Sequence, residues 1–572
     1  MCAKHKYQSI KTMKYMKKKI TSLILLSFIG MFLYAQNQGQ DPLLDILRSE
    51  LNHQFEEMQN LERPPYFMDF RVVDETRRSI HTEFGVVSSI VNTRVRNFVP
   101  SIRIGDMEFD NKIQPGQVAG GQRINLPLND DPMAIKQVIW DECFNRFRRA
   151  IDDFERAVAR REVRVEQEDR APSFSEAPVE IYFEPPLSAE VTSFDEAYWS
   201  ERLKRLSVEF LRNPDIEQGS ARIRFDHQRR YYLNSEGTEV VQNLTYAEIS
   251  INGMIRAEDG MVLPLFTSYF AFLPCGLPTD EEMLADVESL IERLVMLQNA
   301  PLVSSYTGPA LLSGAASGVF FHEIFGHRIE GQRLKLENDA QTFKRMVGQS
   351  VLPASLNVFD DPTLRQYLGR DLAGFYTFDD QGVRGERVEV VRNGILTNFL
   401  MTRTPIDGFY RSTGHARADL GFDVESRQSN LIIETTDPRS EEELRRLLIE
   451  EAIAQGREYA FYFKTVSGGF TQTSAMSVNS FAVLPLEVYR VWVDGRPDEM
   501  VRGVDLIGTP LSMFAGITHA GEMSSAQIFT GSCGAMSGWV PVTAISPTIL
   551  VRQVEMQRQP RAQDRGPILS RP

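Results

Sequence analysis

Between residues 311 and 329 the chain reads LLSGAASGVFFHEIFGHRI, small residues running without a break into an apolar helix that carries two histidines and a glutamate. Such a helix is stable only where other elements enclose it. The later segments predict what does so. GERVEVVRNGILTNFLM, SNLIIETT, SFAVLPLEVYRVWVDGRPDEMVRG and SPTILVRQVEM alternate in hydrophobicity and break at Asn-Gly or Asp-Gly, as hairpins do. The second half is therefore expected to be mainly β around one short buried helix, with another helix at SEEELRRLLIEEAIAQ.

The first half reads differently. Helical periodicity covers Asp41 to about Met58, Met133 to about Glu166, Phe194 to Arg212 and Asp280 to Gln298. Between them lie strand-like runs such as RSIHTEFGVVSSIVNTRVRNFVPSIRIG and ARIRFDHQRRYYLNSEGTEVVQNLTYAEISINGMIRAEDG. The fold class expected is α+β, with an N-terminal α+β domain over 36–300 and a mainly β domain over 301–555. NAPLVSSYTGP marks the boundary, and 556–572 forms a tail without a packing pattern.

Ahead of both domains, Lys14, Lys17, Lys18 and Lys19 precede an apolar run from Ile20 to Tyr34, and Ala35 leads into polar QNQGQD. This is the layout of a signal peptide over 1–35, and the run is too short for the roughly 20 residues of a spanning helix. Export to the periplasm, with no stable membrane anchor after cleavage, is the expectation. Removing the leader's seven lysines moves the formal charge from -14 to about -21, which makes nucleic acid an unsuitable partner. Cleavage also removes Cys2, leaving Cys143, Cys275 and Cys533. Cys533 sits in the glycine-flanked turn TGSCGAMSG, while Cys143 and Cys275 are either a pair or two separate thiols.

The chemistry concentrates at HEIFGH. In a zinc-protease helix H-E-x-x-H places two histidines four apart on one face, with the glutamate as general base. Here one more residue intervenes, so His327 lies about 140° around a regular helix from His322. A π-bulge at Gly326 would bring positions five apart onto one face, and an irregular helix is expected there. Two histidines leave a catalytic zinc one protein ligand short, and Glu330 and Cys533 both qualify as the third.

These residues resemble a known family. HEIFGHRIEG, DDQG at Asp379 to Gly382, NG at Asn393 and Gly394, VSGG at Val466 to Gly469, and GSCG followed by Pro541 and Val542 are similar to the TldD/PmbA metallopeptidases. The resemblance runs from about Ser304 to Ile549, and includes more weakly the RRYYLNSEG run of the first half. It implies that His322, His327 and Cys533 bind one Zn2+ per chain and that Glu323 is the general base. It also implies a barrel-like catalytic domain, extended or unfolded peptides as substrates, and a homodimer or a heterodimer with a related subunit. The chain has the motif set of the active subunits, except that Gln332 stands where an acidic residue is usual. The competing reading is a non-catalytic peptide-binding subunit whose metal is structural, which a fourth ligand such as Glu330 would favour.

Other polar residues have bland and functional readings side by side. Glu330 suits a carboxylate that holds a histidine in place. His415, Arg417, Arg427 and Asn430 would either contact a peptide or make ordinary loop hydrogen bonds. Asp379 and Asp380 precede a glycine turn, where a turn role is expected, and His519 lies near Cys533 in sequence.

Overall fold

A computed structural model describes residues 41–112, 123–163, 169–335, 341–473 and 480–559. The leader and most of the tail, 560–572, lie outside these residues. The first half opens with helix α1 (Pro42–Gln59), whose N-cap Asp41 accepts from the Leu44 amide. Strands β1 (Pro65–Glu83) and β2 (Val86–Ile104) form a long hairpin. Helices α2 (Pro132–Val163) and α3 (Glu196–Val208) follow, then β3 (Ile216–Asn234), β4 (Glu239–Arg256), β5 (Val262–Ala271) and α4 (Asp280–Asn299). The strand order is β2-β1-β3-β4, with β5 also on β4 and short pairings at Ile124–Asn125 and Ile181–Phe183.

Alternation decides which face of this sheet is covered. Met68, Phe70, Val72 and Ile80 on β1, with Ile223, Phe225, Tyr231 and Leu233 on β3, are buried in apolar clusters with the helices. Residues of the other parity are mostly charged and point the opposite way. Cys143 is buried and Cys275 exposed, and both are free thiols, so they form no disulfide.

The second half contains a closed barrel. Its strands are β6 (Tyr306–Leu312), β10 (Tyr459–Gln472), β11 (Ser480–Trp492), β12 (Val504–Gly508) and β15 (Ile549–Arg558), and β15 pairs back onto β6. Beside it lies a second sheet built from β7 (Leu356–Asp360), β8 (Val388–Arg392), β9 (Asn430–Thr435), β13 (Gln527–Ala535) and β14 (Gly538–Ser546). Its order is β8-β7-β9-β14-β13, which leaves β13 at an edge. Helix α5 (Gly314–Ile324) packs between β10 and β11 of the barrel and the β13–β14 hairpin, while α6 (Glu441–Ala454) packs against β6.

The SGAASG run has a steric explanation. A Cβ at Gly314 would come within 2.3 Å of the Ser546 carbonyl, and one at Gly318 would lie 3.1 Å from Ala544 Cβ. The helix therefore approaches β14 more closely than larger residues permit. Ser313 caps it by accepting from the Ala316 amide.

The halves are docked by buried polar contacts. Arg403, only 1% exposed, pairs with Glu236, donates to the Ser175 carbonyl and lies over the rings of Phe67 and Phe174. Lys335 donates to the carbonyls of Ala171 and Pro405. Replacing Arg403 by Ala removes the buried member of a partly buried pair and its ring contacts, and is expected to destabilise the protein by about 3 kcal/mol. Denaturant unfolding checks this: a change below about 0.5 kcal/mol, the range of ordinary surface substitutions, means the residue does not clamp the halves.

Candidate metal centre

Helix α5 ends sooner than a histidine-bearing helix of regular geometry would. Its last helical residue is Ile324, and Gly326–Arg328 form a turn of 3-10 helix after Phe325. The expected π-bulge is absent: the α-helix stops between the histidines, and the tighter turn swings His327 back towards His322. Gly326 matters for a packing reason, since a Cβ there would lie 1.8 Å from Gln428 Oε1. Arg328, fully buried, donates to the carbonyls of Glu323 and Ile324 and so satisfies acceptors left by the broken helix.

The two imidazole rings face each other edge-on with centroids 5.0 Å apart. Cys533 reaches them from edge strand β13, 206 residues away in sequence, with Sγ 3.4 Å from His327 Nε2. The donor atoms of His322, His327 and Cys533 all lie within 4.8 Å of one another. Zinc bonds of ~2.1 Å to nitrogen and ~2.3 Å to sulfur at a tetrahedral angle place those donors ~3.6 Å apart, so the set fits such an ion. Two imidazoles and a thiolate also suit zinc chemically.

Glu330 stands behind this set. Its Oε2 lies 3.2 Å from His327 Nδ1 and 2.8 Å from Arg333 Nε, and its Oε1 lies 3.6 Å from Arg427 Nε. The carboxylate orients His327 so that Nε2 faces Cys533, and it does not occupy a fourth ligand position. Arg427, fully buried, ties the other end of the site by donating to the Cys533 and Gly538 carbonyls and Ser537 Oγ.

The electrostatics follow from these contacts. Burial opposes charge on Glu330, but Arg333, His327 and Arg427 outweigh it and hold the carboxyl at about 2. Burial likewise opposes charge on His327, yet the Cys533 thiolate and Glu330 push its pKa up to about 10. Cys533 is the complement: His327, Arg427 and His322 overcome burial and hold the thiol well below its usual value. For Glu323 burial prevails over the neighbouring imidazoles and raises the carboxyl.

A pocket of about 250 Å³ opens on the centre, lined by His322, Glu323, His327, Arg333, Phe470 and Trp539 among others. Glu323 reaches it because residue 469 is glycine: a Cβ there would lie 2.6 Å from Glu323 Cγ and 2.8 Å from the Ala482 carbonyl. The alternating sequence after VSGG was the available signal for Phe470, whereas nothing local pointed to Trp539.

The other candidates lie elsewhere. His415 is fully buried, its Nε2 3.2 Å from Asp360 Oδ1 and its Nδ1 3.0 Å from Thr413 Oγ1, and Asn430 donates to the carbonyls of Asp361 and Leu364. These are hydrogen bonds that hold loops, and neither residue lines the pocket. Arg417 also stays out of the pocket and donates to the Gln428 carbonyl. Asp379 Oδ1 accepts from the Gln381 and Val383 amides, closing the expected turn, and Asp380 pairs with Arg230. Gln332 bonds Thr402 Oγ1 away from the centre, and His519 is on the strand Ile517–Gly521 outside the pocket.

Comparison with known proteins agrees with this architecture. Residues 305–558 match the family model described as the PmbA/TldA metallopeptidase C-terminal domain. A protein of Archaeoglobus fulgidus named "Metalloprotease" is 27% identical over 340 residues, covering 59% of this chain and 73% of that one. A "Zinc metalloprotease TldD homolog" of Saccharolobus solfataricus is 24% identical over 363 residues, 60% of this chain and 72% of that one. The crystal structure of TldE from Thermococcus kodakarensis shares the fold with a TM-score of 0.58 at 15% identity, over 90% of this chain and 100% of the other. The closed barrel and enclosed histidine helix over residues 305–558 are thus a C-terminal domain of the PmbA/TldA metallopeptidase family.

Proposed function

We propose that this chain is an exported zinc-dependent peptidase that hydrolyses unfolded or extended peptides inside a dimer formed with itself or a related subunit. The observation that carries the reading is the convergence of two imidazoles and a thiolate beside an unshared carboxylate, Glu323, in a pocket open to solvent. The relatives named metalloproteases support peptide hydrolysis, and the motif resemblance to a family of paired subunits supports a two-subunit assembly. The lysine-rich apolar leader supports export.

His322, His327 and Cys533 would hold the zinc, and the bound ion would polarise the scissile carbonyl and lower the pKa of an attacking water towards ~7. Glu323 takes the proton of that water on its carboxylate and returns it to the leaving amine nitrogen. Gly469 leaves the space that side chain occupies. Glu330 fixes the tautomer of His327 through Nδ1, and Arg427 fixes the backbone that carries Cys533. The alternative, a subunit with a purely structural zinc, calls for four protein ligands. Among the described residues three converge, and Glu330, the candidate fourth ligand, is engaged behind His327.

Glu323→Gln is expected to retain zinc and lose peptide cleavage by about 10²–10⁴-fold, the usual contribution of a positioned base. Metal analysis beside cleavage of an unfolded peptide library by purified mature protein tests this. If both proteins hold zinc and neither cuts, the peptidase reading fails. Glu330→Gln is expected to weaken zinc binding about 10–100-fold through loss of the carboxylate that orients His327. Competition with a chelator measures it, and an unchanged affinity removes that role.

A further inference from the structure

The sheet of the N-terminal half has two unlike faces. One is apolar and meets the helices; the other carries Arg71, Glu75 and Arg77 on β1 with Arg224, Asp226 and Arg230 on β3. The charged face looks across a cavity of about 450 Å³ at the loop around Arg417 and at the β13–β14 hairpin. This volume lies in the ~300–1,000 Å³ range of small-ligand pockets, which suits a few residues of extended peptide and no folded chain.

The cavity adjoins the metal centre. Ser532 and Trp539 line both it and the metal pocket. Trp539 is 65% exposed, and its indole lies across Gly534, where a Cβ would come within 2.9 Å of the ring. A flat, open aromatic surface thus leads from Cys533 to the charged space.

The charges in that space are mostly matched. Asp226 pairs with Arg77 and Arg224, and Asp380 pairs with Arg230 at 3.2 Å and with Arg71 at 3.8 Å. Arg417 differs: it is 5% exposed, donates through Nη1 to the Gln428 carbonyl and stacks 5.1 Å from the Tyr376 ring. No carboxylate among the described residues forms an ion pair with it. Arg123, exposed beside Gly421 at the same cavity, likewise has no ion pair among the described residues. A buried guanidinium without a counter-charge keeps its desolvation cost, and a carboxylate entering the cavity would offset that cost through paired hydrogen bonds. Glu248 and Asp419 line the cavity as well, so it suits a single carboxylate rather than a polyanionic segment.

We propose that this cavity is a substrate subsite that binds one carboxylate of a peptide whose scissile bond lies at the metal centre, with Arg417 as the principal partner and Arg123 the secondary one. The proposal rests on the peptidase reading. A C-terminal carboxylate and an Asp or Glu side chain present the same chemistry, and the test separates them.

Three fluorophore-labelled peptides of about six residues serve as probes: one with a free C-terminal acid, the same peptide amidated, and an amidated version with an Asp near its end. Their binding to zinc-loaded Glu323→Gln protein is read by anisotropy, and their cleavage by wild type is followed in parallel. One carboxylate-bearing peptide is expected to bind at least tenfold more tightly than the plain amide. The free acid winning assigns the terminus, and the Asp peptide winning assigns the side chain. Arg417→Met in the same background should abolish that advantage, and Arg123→Ser should reduce it about threefold. Should Arg417→Met melt early, the three-peptide comparison and the Arg123 variant decide alone. Equal binding of all three peptides, or no binding, overturns the proposal. Cleavage of all three with equal KM overturns it while leaving the peptidase reading intact; carboxylate-dependent binding without cleavage sustains it and overturns the peptidase reading.

Discussion

A carboxylate with no access to solvent sits behind the second imidazole. Glu330 faces His327, Arg333 and Arg427 at once, and Arg427 continues to the Cys533 carbonyl on strand β13. A buried carboxylate is tolerable only because cations compensate it on several sides. The network therefore locks three parts of the chain into one arrangement: the turn after α5, the strand entering β9 and the β13–β14 hairpin. Loss of one member would leave a buried charge short of part of its compensation, so the centre is held as a unit.

Close backbone approach makes that network reachable. Gly314 and Gly318 let α5 lie against β14, Gly326 leaves room for Gln428, and Gly469 leaves room for Glu323. The barrel supplies one wall, and the second sheet supplies the strand bearing the thiolate. Because β13 is an edge strand, Cys533 meets the histidines at the rim of a sheet, where solvent and a ligand can enter. The N-terminal sheet then roofs the adjoining space with its charged face.

Much of this was legible in the sequence, for identifiable reasons. Apolar spacing located the helices of the first half, and the period-two pattern located long strands whose two faces differ in character. The histidine helix announced itself through residue type and spacing. Its shape did not: extrapolating a regular helix past Ile324 led to an expected π-bulge, whereas Phe325 and Gly326 end the helix and begin a 3-10 turn. The barrel was expected only from the family resemblance; the hydropathy pattern could not show its closure, since β6 and β15 pair across more than 200 residues of intervening chain. His415 and Asn430 read as candidate substrate contacts because their partners, Asp360 and the carbonyls at Asp361 and Leu364, are distant in sequence. Arg417 read as a polar loop residue that would either contact a peptide or make ordinary hydrogen bonds; only the fold shows that it borders a cavity.

The placement of Cys533 has a temporal consequence. The thiolate arrives 206 residues after the second histidine, on an edge strand, and β15 must still follow to close the barrel. A chain still being synthesised holds two imidazoles without their thiolate and without a finished wall around them. Convergence of the three donors is thereby deferred until β13 and β15 have been made, and the growing polypeptide carries its chemistry in an unarmed state.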